Sequence, residues 1–360
     1  MPVSEFYAGE SPLKYSFMDD YSEGAHPQIL DSLLRNNRAQ QTSYGKDDFC
    51  EQARKSIRQH LGCSESEVSI HFVPSGTSAN LISISSCLRP FEAVIAVDSG
   101  HIVSKEAGAI EATGHKIIQV PAVNGKLTPA TLEKGFRQNQ FAPHMAKPRL
   151  VYISNASEVG TVYTKSELCQ ISETCRRLGL LLFMDGARIG AALSSHKNDM
   201  TWRDIVDFTD IFWIGGTKLG ALLGEAIVIK NTQIAQDFIY HIKQHGALLA
   251  KGRVIGIQFL ELFGSNLFLE LGSHANAMAL RISTHLTELG YILSAETETN
   301  QVFVKLPLAL VDHLQSRFHF YIWEETGDGD AVVRFVTSWA TEAMQVDKLN
   351  ACIKQGLVLI

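Results

Sequence analysis

Little in this sequence points to a metal, a membrane or a nucleic acid. Its six cysteines, Cys50, Cys63, Cys87, Cys169, Cys175 and Cys352, form no C-x-x-C pair and no His/Cys spacing of a zinc site. Reduced, mostly buried thiols are expected, and no metal site. No window approaches the apolar run of about 18 residues that a membrane span requires. Residues 1–16 lack an apolar core of signal-peptide length, which predicts a cytoplasmic protein. The net charge of -6 is mixed along the chain, with no basic stripe for nucleic acid and no polybasic face for anionic lipid. No G-x-G-x-x-G follows a first strand and no Walker lysine is present, which argues against the common nucleotide-binding patterns. Internal repeats and low-complexity tracts are absent too, leaving small-molecule partners as the favoured class.

What is present is core. The 360 residues, 45% of them hydrophobic, suffice for one large domain and a smaller one. From residue 69 onward short β-rich runs at 69–73, 93–97, 117–120, 149–154, 180–184, 211–214 and 226–229 alternate with helical patterns, the first at 78–88. Most of these runs are apolar on both faces, the mark of a largely parallel sheet covered on both sides, so an α/β fold is predicted. Beyond residue 231 the beat stops. Apolar helical patterns at 254–263 and 278–289 lead to alternating strands at 302–306 and 331–336 and a closing helix at 342–355. The division expected is an N-terminal arm over 1–50, a large α/β domain over 51–254 and a small C-terminal α+β domain over 255–360 with an antiparallel or mixed sheet.

Ligands of parallel sheets bind beyond the carboxyl ends of the strands, so the loops after each run are where chemistry is to be sought. Asp185 ends the apolar run 180–184, where a carboxylate is costly unless something pairs with it. Lys218 follows Gly215, Gly216 and Thr217, whose small residues let the backbone pass close under a flat ring. An amine and an acid at neighbouring strand ends are what an aldehyde cofactor such as pyridoxal phosphate (PLP) requires, the amine to hold it as a Schiff base and the acid to pair with its pyridine nitrogen. Gly76, Thr77 and Ser78 leave a strand and enter a helix, placing free amides and hydroxyls where a phosphate can bind. Taken singly, Lys218 reads as a surface cation, Asp185 as a turn cap and the Gly76 segment as a helix cap. Their combination gives the reading its weight.

The order Ser75-Gly-Thr-Ser-Ala-Asn80, Ser99-Gly-His101, Asn124-Gly-Lys-Leu-Thr-Pro129, Met184-Asp-Gly-Ala-Arg188 and Gly215-Gly-Thr-Lys218 resembles the threonine aldolase and β-eliminating lyase family of PLP enzymes, and within it the low-specificity L-threonine aldolases. The resemblance runs from Phe17 to Asn231 and is weaker afterwards. It implies PLP fold type I, like aspartate aminotransferase, with Lys218 carrying the cofactor, Asp185 on its ring nitrogen, and Gly76, Thr77, Ser78 and Thr217 around its phosphate. His101 corresponds to the histidine stacked on the ring near the substrate hydroxyl, and His144 to a second histidine lining the site. Arg188 and Arg334 correspond to arginines near the cofactor and substrate carboxylate, and Arg253 to one that reaches the phosphate of a neighbouring subunit in a homotetramer or dimer. Two departures stand out: Asp19, where the family has serine, and Glu158, close to where one branch places a histidine.

The resemblance implies reversible cleavage of L-threonine, L-allo-threonine or a related β-hydroxy-α-amino acid such as phenylserine to glycine and an aldehyde. Alternatives are β-elimination of a leaving group from Cβ and a PLP-fold protein without catalysis.

Overall fold

The computed structural model describes residues 14–327 and 329–356. Its strands are β1 (Tyr15–Ser16), β2 (Ser69–Val73), β3 (Glu92–Val97), β4 (Lys116–Val120), β5 (Lys147–Ser154), β6 (Leu181–Asp185), β7 (Ile211–Gly215), β8 (Glu225–Ile229), β9 (Gln301–Pro307), β10 (Phe318–His319), β11 (Tyr321–Glu325) and β12 (Asp330–Val336). Seven of them form one sheet in the order β2-β8-β7-β6-β5-β3-β4, in which β8 alone runs against its neighbours. Every residue of β3, β6, β7 and β8 is buried, as continuous apolar runs require when helices cover both faces.

Alternation along the strands divides the side chains between two cores. Leu182, Met184, Phe212 and Ile214 pack on one face, whereas Tyr152, Phe183, Ile211 and Trp213 pack on the other. Asp185 follows Phe183 by two residues, so it shares the face of Tyr152 and Trp213. The central position of β6 thus brings its terminal carboxylate between side chains from both neighbouring strands.

A second, antiparallel sheet, β11-β12-β9, is covered by the helices Leu267–Glu288, Leu308–Gln315 and Ala343–Gly356 around a separate core. The segment before residue 27 joins the two sheets: β1 pairs with β10, Phe17 exchanges backbone hydrogen bonds with His319 and Val336, and His26 donates to the Gly220 carbonyl just past Lys218. The start of the expected arm, residues 1–13, lies outside the described residues.

Residue 50 falls inside the helix Asp48–Leu61, which packs on the helix Arg253–Phe263, and the large core continues through Leu271, while the small core takes in Phe17 and then residues from Met278 onward. We therefore propose that the helix Leu267–Glu288 itself is the bridge between the units. Among the described residues no single helix is long and apolar enough to cross a membrane, and no group of three or more His, Cys, Asp or Glu side chains is arranged to hold a metal ion.

Candidate active site

A cavity of about 390 Å³ opens at the carboxyl ends of β5, β6 and β7, a size typical of small-molecule sites. Asp185 lies in it, 3% exposed. Its Oδ2 accepts from Asn80 Nδ2 at 2.9 Å and from the Tyr152 hydroxyl at 2.7 Å, and its Oδ1 from the Ala187 amide at 2.9 Å. Trp213 Nε1 donates to Asn80 Oδ1 at 2.9 Å and fixes which way that amide faces. Burial and the nearby Asp185 push the Tyr152 phenol far up, so it stays a donor. Three donors and no protein cation, among the described residues, hold this carboxylate. The arrangement keeps its charge for a cationic group on a ligand.

The chain leaves β6 at Gly186 and β7 at Gly215 in contact: a Cβ on Gly186 would collide with the Trp213 carbonyl, and one on Gly215 would lie 2.5 Å from the Ala187 carbonyl oxygen. Only glycine permits the two loops to close on each other. Lys218 therefore stands beside the Asp185 loop, its Nζ 6.0 Å from the Tyr21 ring centroid and, among the described residues, without a hydrogen-bond acceptor. Burial, followed by the charge of Arg188, depresses its pKa, against the opposing pull of Asp20 and Asp185. The result is an amine more readily neutral and nucleophilic than an exposed lysine.

The loop carrying Lys218 is pinned by Glu225, which is 4% exposed and was not read as a site residue from sequence. Its Oε1 accepts from the Thr217 hydroxyl and its Oε2 from the Gly216 amide, both at 2.8 Å, and burial pushes its pKa up to about 7. Thr217 lines the cavity, but its hydroxyl proton goes to Glu225 and its oxygen accepts from the Gly224 amide at 3.2 Å. In this structure the hydroxyl expected at a phosphate is committed to the loop.

The phosphate segment differs from expectation in one detail. The helix starts at Gly76, and its cap Ser75 accepts the Ser78 amide at 3.2 Å while donating to the Ser78 hydroxyl at 2.9 Å. Ser75, Gly76 and Thr77 line the cavity, and Ser78 does not. The Gly76 and Thr77 amides remain at the positive end of this 12-residue helix, suited to an anion. Gly76 also keeps a close approach, since a Cβ there would lie 3.0 Å from the Trp213 ring.

His101 lines the cavity with its Nδ1 2.8 Å from Glu106 Oε1, an oxygen that also accepts from Asn80 Nδ2 at 2.7 Å. Asn80 thus joins Asp185 to the His101 partner. A carboxylate on Nδ1 selects the Nδ1–H tautomer and leaves Nε2 as the acceptor. Glu158, noted in the sequence only as a departure, has Oε1 on the His101 amide at 3.0 Å and on the Ser154 hydroxyl at 2.7 Å. Burial raises its pKa.

Arg188 also lines the cavity. Its Nε and Nη2 make a bidentate pair with Asp20 at 2.7 and 2.9 Å, and Asn300 donates to the same carboxylate at 2.9 Å. Burial alone would raise the Asp20 pKa, but the charges of Arg188 and Lys218 and these bonds hold it below the ordinary carboxylate value. Asp19, the departure, accepts from the Tyr21 amide at 3.1 Å and the Ser22 hydroxyl at 2.8 Å, so its carboxylate is engaged within its own turn. Arg334 stands on β12 near Arg188, its Nη2 3.3 Å from the Met18 carbonyl.

Besides Ser78 and Arg334, two further expected residues do not line this chain's cavity. His144 precedes β5, at the opposite end of that strand from Ser154, and stacks on Phe141 with centroids 5.1 Å apart. Eight residues of strand at about 3.3 Å each separate it from the site edge. Arg253 donates to the carbonyls of Asn37 and Ala39, tying down the N-terminal segment.

Comparison with known proteins agrees with this geometry. The family described as beta-eliminating lyase matches residues 26–309. The low specificity L-threonine aldolase of a Pseudomonas species is 33% identical over 345 residues, which is 94% of this chain and 96% of that protein. The solved threonine aldolase of Leishmania major is 45% identical, with a TM-score of 0.93 over 95% of this chain and 99% of its own. A Thermus thermophilus aspartate aminotransferase mutant shares the fold at 12% identity, with a TM-score of 0.70 over 95% of this chain and 91% of its own. With a fold of the aspartate aminotransferase type and a match over most of its length, the chain belongs to the beta-eliminating lyase family and is a relative of its threonine aldolases.

Proposed function

We propose that this protein is a PLP-dependent carbon-carbon lyase that cleaves L-threonine, L-allo-threonine or a related β-hydroxy-α-amino acid to glycine and an aldehyde, reversibly. The observation that carries the reading is a Lys218 amine with no hydrogen-bond acceptor among the described residues, set in one cavity with a buried Asp185 that is held by three neutral donors. The residues fit the cofactor: Lys218 would attach it, Asp185 would face its ring nitrogen, and the Gly76 and Thr77 amides would receive its phosphate. When bound, PLP supplies an electron sink for the bonding pair released at the substrate Cα.

The chain's own side chains do the rest. Arg334, with Arg188 beside it, gives one end of the site a positive charge for the α-carboxylate, which orients the bond between Cα and Cβ. His101 Nε2, left as an acceptor by the Glu106 contact, takes the β-hydroxyl proton as the aldehyde departs. Glu158 holds the His101 backbone in place.

Product analysis separates the candidate reactions. Purified protein with PLP is expected to form equimolar glycine and acetaldehyde from threonine, read by amino-acid chromatography and an aldehyde-trapping assay. Pyruvate and ammonia from serine, without glycine from threonine, would establish β-elimination instead, and no turnover of either would favour a non-catalytic protein.

The same reading makes the assembly a homo-oligomer, a dimer or tetramer, in which His144 and Arg253 serve the site of a neighbouring copy. Both are placed away from this chain's own cavity, which supports that assignment. Mass photometry that finds only single-chain particles at micromolar concentration would remove it.

A further inference from the structure

Arg188, which lines the cavity, and Arg334, which stands near it on β12 outside the lining, are held by opposite means. Arg188 is neutralised by its bidentate pair with Asp20, whereas Arg334 forms no ion pair among the described residues. Among the described residues Arg334 Nε is buried with no hydrogen-bond partner, and the guanidinium's one hydrogen bond, to the Met18 carbonyl, is long at 3.3 Å. Two aromatic rings take the place of a carboxylate. Its Cζ lies 4.9 Å from the ring centroid of Tyr321 and 5.2 Å from that of Trp323.

The strand pairing shows how this clamp is built. Tyr321 is directly opposite Arg334 across β11 and β12, and Phe303 is directly opposite it across β12 and β9. The β11 register shifts between Ile322 and Glu324, so Trp323 is the extra residue of a bulge, a device that re-aims a side chain. The Trp323 ring meets Phe303 edge-on, at 5.2 Å and 86°. Core packing does not put the two rings there, since every residue of β11 is exposed, Tyr321 at 46% and Trp323 at 40%. A ring face attracts a guanidinium and fixes its plane while leaving its charge and its N–H donors free, which a carboxylate would not.

We propose that Tyr321 and Trp323 are positioning residues that hold Arg334, which forms no ion pair among the described residues, as the receptor for the α-carboxylate, leaving Arg188 as the wall of the site paired with Asp20. This rests on the amino-acid substrate proposed above. Carboxylate recognition then belongs chiefly to Arg334, and its strength depends on two residues that never touch the substrate.

Ligand binding to the PLP-loaded protein, read from the absorbance change of the cofactor, tests this. Tyr321→Leu and Trp323→Leu are each expected to weaken glycine binding about tenfold, and to raise the threonine KM by a similar factor with kcat changed less than about threefold. Ethylamine, which has the amine and no carboxylate, is expected to bind within about twofold of wild type in both variants, because a group that acts through Arg334 does not affect it. Trp323→Phe keeps a ring face and should retain most of the glycine affinity. Unchanged glycine affinity in both leucine variants overturns the clamp, as does an equal loss for glycine and ethylamine. A wild-type cofactor that does not respond to glycine at all overturns the amino-acid reading itself, a separate result.

Discussion

Lys218→Ala is expected to reduce threonine cleavage by a factor on the order of 10³ or more and to abolish the covalent bond between protein and cofactor. Among the described residues two lysines line the cavity, Lys218 and Lys105, and Lys105 ends the short helix that begins at His101. No acceptor among the described residues ties up Lys218, and burial with the Arg188 charge shifts it toward the neutral form. Sign matters here: a depressed lysine pKa enlarges the neutral, nucleophilic fraction at any pH below the ordinary lysine value, so attachment should persist further toward acid pH than a surface lysine would allow. Borohydride reduction followed by peptide mass analysis should place the cofactor on the peptide containing Lys218. Lys218→Arg keeps the charge without a usable nucleophile and should be as inactive as the alanine variant. Full activity in either variant, or label on a different lysine, would sink the assignment.

Much of this was legible in the residues. In a beat of short apolar runs and helices, the run ending in Asp185 reads as a buried strand with its carboxylate at the edge, and the glycines before Lys218 mark a tight exit from the next one, so the sequence places both groups at strand ends. The partners of Asp185 could not. Asn80 comes from a helix, Tyr152 from β5 and Trp213 from β7, and they converge only because β6 lies between β5 and β7, a strand order that local pattern does not encode. The alternation that puts Tyr152, Phe183 and Trp213 on one face was available, had the order been known. Glu225 was hidden for another reason. It opens the one antiparallel strand of the sheet, so its carboxylate faces the site from the strand's start, where the rule about carboxyl ends does not look. His144 shows the opposite limit: a motif supplies a residue type, while the eight-residue strand that follows it sets the distance from the site. Asp19 and Asp20 are alike in sequence, yet Asp19 bonds within its own turn and Asp20 reaches Arg188, a difference that only the path of the chain decides.

Asp185→Asn should lower kcat by about 10²- to 10³-fold while leaving the protein folded and the cofactor bound through Lys218. The substitution is nearly isosteric, so packing around Phe183 and Trp213 is retained and the change is one of charge. A neutral amide cannot stabilise a protonated ring nitrogen as a buried carboxylate does, and the electron sink weakens in the transition state more than in the ground state. There is a second, smaller consequence. Asp185 Oδ2 accepts from both Asn80 and Tyr152, and Oδ1 from the Ala187 amide. The new side chain has one acceptor oxygen and one donor nitrogen for three donors, so at least one buried donor loses its partner, at a cost of about 1–3 kcal/mol of stability. Tyr152→Phe removes one of those donors and leaves the carboxylate, so it should cost far less activity than Asp185→Asn and distinguishes charge from hydrogen bonding. The kinetic split is diagnostic: glycine binding, which depends on the arginine end of the cavity, should change by less than about fivefold in Asp185→Asn while kcat collapses. An Asp185→Asn protein with kcat within about threefold of wild type would show that this carboxylate shapes the fold and takes no part in the chemistry.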